Sequence, residues 1–101
     1  MLVAFSVAPS TTDDADGSVS AAVADAIAVV RESGLPHDLG SMFTTIEGEW
    51  DEVMDVIKRA CEAVGKHSPR VGLVLKADIR PGHDGMLTAK VERIEQRLNS
   101  Y

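Results

Sequence analysis

Apolar and polar positions along the chain fall into seven patterned runs. In residues 2–8, Val3, Phe5 and Val7 alternate with Leu2, Ala4, Ser6 and Ala8, and Pro9 closes the run. Both sets are apolar or small, which predicts a strand covered on both faces. After a polar stretch, residues 10–17, the period changes. Val19, Val23, Ala26, Ile27 and Val30 recur at helical spacing. Ser18 suits the N-cap of that helix and Gly34 the left-handed position after its last turn. Residues 37–41 and 42–46 predict two short strands, with Gly40-Ser41 as a turn or bulge between them. The second of these stops at Glu47-Gly48 and passes into a helix starting near Trp50. Glu49, Asp51 and Glu52 suit the positive end of its dipole. Val53, Ile57, Ala60 and Val64 form its apolar stripe, and Gly65 ends it. In residues 69–80, Val71, Leu73, Leu75, Ala77 and Ile79 alternate with Gly72, Val74, Lys76, Asp78 and Arg80, the pattern of another strand. Beyond a loop at 81–85, Leu87, Val91, Ile94 and Leu98 mark a third amphipathic helix.

The resulting order is strand, helix, strand, strand, helix, strand, helix. It predicts an α+β ferredoxin-like sandwich (βαββαβ) with an additional C-terminal helix, in one domain spanning residues 1–101. Right-handed crossovers put the first two helices on one face of a four-stranded antiparallel sheet. Leu2, Ala4 and Val74 then fall on the other face. A small monomer rarely leaves such a patch wet, so the third helix and a second subunit are expected to cover it, giving a homodimer or homotetramer.

Composition narrows the class. Hydrophobic residues make up 45% of 101 positions, enough for a packed core. The net charge is -6 with no basic patch, which argues against nucleic acid as a partner. A single cysteine, Cys61, excludes an internal disulfide and a cysteine-based zinc site. The apolar start of the chain is short and lacks a basic leader, and no run approaches a membrane span, so a cytoplasmic protein without membrane contact is expected.

Candidate chemistry is sparse. Thr44, Thr45 and Glu47 are polar groups at a strand end that meets a helix start, a common place to hold a small ligand. A carboxylate accepts hydrogen bonds from an aminopyrimidine, and hydroxyls donate or accept. The same residues also suit an ordinary strand and support for the next helix. Ser18 and Ser20 lie where free helical N–H groups can hold a polar ligand end, although Ser18 as a plain cap explains it equally. Asp78 and Arg80 share a strand face, and Arg80 is placed to orient Glu47 or Asp78. The bland alternative is a structural ion pair. Lys90 reads as solvated. The acids Asp13, Asp14 and Asp16 fail the calcium-loop test, since the first and twelfth positions would be Thr12 and Val23. His37, His67 and His83 lie apart in loops and give no metal signature. Cys61 reads as packing, and Trp50 as a packing anchor or a stacking platform.

Three blocks run in this order: Ser18-Val19-Ser20 at a helix start, Thr44, Glu47 and Gly48 at a strand end, then Asp78 and Arg80 followed by Lys90. Together they resemble the thiamine-binding protein family over nearly the whole chain. The resemblance implies a ferredoxin-like fold, dimers or tetramers, and non-catalytic binding of thiamine or its hydroxymethylpyrimidine part, with no cofactor. The implied contacts are Ser18, Ser20, Phe43, Thr44, Thr45 and Glu47, with Arg80 as an orienting partner. Phe43 stands where the family pattern carries glycine, a change expected to narrow the pocket. The competing readings are a regulatory or scaffold module of the same topology sensing another small ligand, and an acylphosphatase-like hydrolase. The second is disfavoured because its anion loop would here be acidic.

Overall fold

The computed structural model describes residues 1–11 and 19–100. Seven elements follow in order: β1 (Leu2–Pro9), α1 (Ser20–Glu32), β2 (His37–Leu39), β3 (Thr44–Glu47), α2 (Trp50–Gly65), β4 (Val71–Asp78) and α3 (Met86–Asn99). The strands form one antiparallel sheet in the order β2-β3-β1-β4. This is the α+β, ferredoxin-like arrangement with an added C-terminal helix that the residue pattern predicts. The two short strands β2 and β3 are shorter than the periodicity implies, because Gly40 closes a tight turn: its N–H donates to the Phe43 carbonyl at 3.0 Å. The loop acids Asp13, Asp14 and Asp16, and Ser18, lie outside the described residues.

β1 runs through the middle of the sheet, and its odd positions fill the core. Val3, Phe5 and Val7 are buried against Ile46 of β3 and against α1 and α2. Each fully buried side chain of this size contributes about 1.5–3 kcal/mol. On α2 the predicted stripe, Val53, Ile57, Ala60 and Val64, is buried together with Val56. A capping box opens this helix, with the Glu49 N–H donating to the Glu52 carboxylate at 3.2 Å.

The first helix departs from expectation. Its first helical residue is Ser20, with Val19 at the cap position. The residues it buries are Ala22, Ala26 and Val30. Val23 and Ile27, assigned by spacing to the core stripe, are half-buried on the flank. The apolar arc of α1 is wider than one packing contact needs. Its alanines take the inward position because they let the helix approach the sheet and α2 closely. Gly34 holds φ +74°, as a left-handed residue after a helix should.

α3 covers far less of the open sheet face than expected. Met86 is buried, and Leu87 and Ala89 are half-buried, but every residue from Val91 to Ser100 is exposed. The helix projects from the body. The radius of gyration is 15.4 Å and the extents are 50 × 32 × 20 Å, against about 13 Å for a compact chain of this length.

Candidate functional site

Successive side chains of a strand point to opposite faces, and this separates the predicted cluster. Thr44 pairs with Phe5 and Leu39, on the face that α1 and α2 cover. Thr45 pairs with Ala4 and Asp38, and Glu47 with Leu2, on the open face. Thr44 and Glu47 therefore do not form one site.

Thr44 floors a crevice on the flank of the core. Phe5 and Thr44 form its base, Val19 with Val23 and Ile27 of α1 one wall, and Leu39 and Met42 the other; the cavity is about 200 Å³. Thr44 is only 5% exposed. Among the described residues its hydroxyl has no hydrogen-bond partner, and none of their polar side-chain atoms is both sealed off and unpaired. The hydroxyl therefore opens onto the crevice. A second hollow of about 490 Å³ shares Val19, Val23, Ile27 and Leu39, and it adds Ser20 at one end and Arg31 at the other. Its size lies within the roughly 300–1,000 Å³ typical of small-ligand sites. Phe43 is 38% exposed and lines neither hollow, so it does not narrow them.

Glu47 belongs to the open face and has a different task. Its carboxylate is 6% exposed and accepts the Met86 N–H at 2.7 Å and the Leu87 N–H at 3.4 Å. Gly85, at the cap position of α3, carries no side chain and turns with φ +64°. Glu47 satisfies two of the N–H groups that a helix start leaves unpaired, and its charge suits that end of the dipole. It supports α3, 39 residues away, and not the helix that follows it in sequence. Lys90 is not simply solvated: it is ion-paired with Asp78. The hydrogen bond from Lys90, then its charge, holds the Asp78 carboxyl below the usual carboxylate range. β4 ends at Asp78, and Arg80 lies beyond it, lining a hollow of about 10 Å³ with Asp78 and His83. Among the described residues Arg80 has no ion pair with Glu47 or Asp78.

His37 begins β2, within the short strand predicted over residues 37–41, and its Nδ1 lies 2.9 Å from the Leu35 carbonyl. His67 pairs with Asp25 at 2.6 Å, and no cluster of metal-ligating residues occurs among the described residues. Burial pushes the Cys61 thiol up, in keeping with its place against the core. Trp50 is 53% exposed. The crevice walls were missed by the sequence reading. The available signal was the surplus width of the α1 stripe, more apolar positions than one face can bury.

Residues 3–95 match the family described as thiamine-binding protein, and the chain belongs to that family. It is 48% identical over 99 residues to UPF0045 protein Mb1933 of Mycobacterium bovis, covering 97% of this chain and 94% of that one. A Bacillus cereus structure titled as a domain of unknown function, DUF77, superposes with a TM-score of 0.79 at 35% identity, over 89% of this chain and 85% of that one. A Thermotoga maritima structure, TM0486, provisionally titled a thiamine biosynthesis/salvage protein, gives a TM-score of 0.73 at 25% identity, covering 90% and 96%. Among the described residues no helix is long and apolar enough to cross a membrane.

Proposed function

We propose that this chain is a non-catalytic binding protein for thiamine or its hydroxymethylpyrimidine part, held in the crevice between α1 and the β2–β3 pair, and that it acts as a homo-oligomer. The observation that carries the reading is the Thr44 hydroxyl, almost buried yet open to an apolar cavity. A flat heteroaromatic ring fits between Phe5, Ile27 and Leu39, and its ring nitrogen or amino group pairs with Thr44. Ser20, in the adjoining hollow, is placed to meet the ligand's other end. Family membership and the Thermotoga neighbour's title support the choice of ligand. The family's description by binding supports the absence of catalysis. Thr45, Glu47 and Arg80 leave the contact set, because they lie on the far face or at the base of α3.

Isothermal titration with thiamine and with hydroxymethylpyrimidine tests this. Saturable binding is expected, weakened several-fold to about tenfold by Thr44→Val, the effect of losing one neutral hydrogen bond. Glu47→Gln should leave affinity unchanged. Binding that follows Glu47 and ignores Thr44 would move the site to the open face. A second reading, a scaffold module, draws support from the exposed α3 stripe; an assembly that binds neither compound would favour it.

A further inference from the structure

Val91, Ile94 and Leu98 are 54%, 60% and 62% exposed on the projecting part of α3. With Leu87 they are spaced four, three and four residues apart, the heptad spacing of a coiled-coil seam. Water is a poor neighbour for three large aliphatic side chains in line; Val91 edges an open hollow of about 400 Å³ beside His37 and Asp38, and all three side chains stay more than half exposed.

We propose that two copies of this chain associate through α3, the helices running parallel about a twofold axis with Val91, Ile94 and Leu98 each meeting its counterpart. This rests on the homo-oligomer reading above and specifies its surface. Charge selects both occupant and direction. The exposed segment carries Lys90, Arg93 and Arg97 against Glu92 and Glu95, in a chain whose net charge is -6. This segment does not share the chain's acidic excess, so two acidic molecules can meet along it without strong repulsion. With Val91 and Leu98 at the a positions and Leu87 and Ile94 at d, Lys90 and Arg97 fall at g and Glu95 at e. Parallel pairing sets Lys90 beside the partner's Glu95. Antiparallel pairing would set Lys90 against Arg97 and Glu95 against its own copy, both repulsive. Lys90 also pairs with Asp78, so its ammonium sits between two carboxylates in the assembly.

Sedimentation equilibrium on the full chain, with cross-linking of single-cysteine variants, tests the pairing. The wild-type mass should be an even multiple of one chain. Ile94→Glu should halve it while leaving the circular dichroism spectrum unchanged, since Ile94 is 60% exposed within its own chain. In a Cys61→Ser background, Leu98→Cys should oxidise to a covalent dimer, because parallel pairing puts the two sulfurs side by side. A single-chain mass at every concentration would overturn both the oligomer reading and this pairing. An assembly indifferent to Ile94→Glu, or one whose Leu98→Cys chains do not cross-link, would leave the oligomer standing and overturn the pairing. Cross-links formed only between Val91→Cys and Leu98→Cys chains would reverse the direction to antiparallel and overturn it likewise.

Discussion

α2 and α3 have similar lengths, 16 and 14 residues, and each carries a regular apolar stripe. Their fates are opposite. Every stripe residue of α2 is buried against β1, Ile46 and α1, whereas α3 buries Met86 alone. The chain enters α2 two residues after β3 and leaves it into β4, so both ends are tied to the sheet. Among the described residues the polar ties of α3 lie in its first two turns, from Glu47 and from Lys90–Asp78. An amphipathic period thus states that a helix needs a cover. It does not state whether the cover lies in the same chain.

The sharpest way to test this contrast is to make one substitution in both helices. Ile57→Ala, at a site 3% exposed, should cost about 2–4 kcal/mol in urea unfolding. Ile94→Ala, at a site 60% exposed, should stay within about 0.5 kcal/mol when the chain is dilute enough to be unassociated. Equal costs would mean that α3 packs against its own body in solution.

Next in size is the anchor. Glu47→Ala should cost about 2–3 kcal/mol by removing charged hydrogen bonds to two backbone N–H groups. The loss of hydrogen-exchange protection should concentrate in α3. Glu47→Gln keeps an acceptor and should cost less. A uniform loss over the whole sheet would show that Glu47 supports β3 and not the helix.

The smallest effect is electrostatic. The Asp78 carboxyl is held low in the folded chain, so its contribution is full above the ordinary carboxylate range and fades as pH falls below it. Exchange at the base of α3 should therefore quicken on acidification, and Asp78→Asn should remove that pH dependence. The pair is exposed, so a large change in global stability would contradict this account.

Much of the fold was legible because period and punctuation agree at most elements. The alternation of β1 and β4, the stripe of α2 and the glycine after α1 each point to a single arrangement. The candidate site was less legible for two reasons. Thr44, Thr45 and Glu47 are adjacent in sequence, and adjacency hides the sheet that separates them. The partner of Glu47 is a helix start 39 residues away, and no local pattern announces such a pairing. The crevice escaped because its walls are ordinary apolar residues, distinguished only by being more numerous than the core can hold.

The single-ended attachment of α3 also makes it a lever. A 14-residue helix is about 20 Å long, so a tilt of about 5° at its base carries its tip through roughly 2 Å. The bearing is one carboxylate on β3, three positions along from the threonine that floors the crevice. The direction in which Leu98 points is thus set by the seating of a four-residue strand.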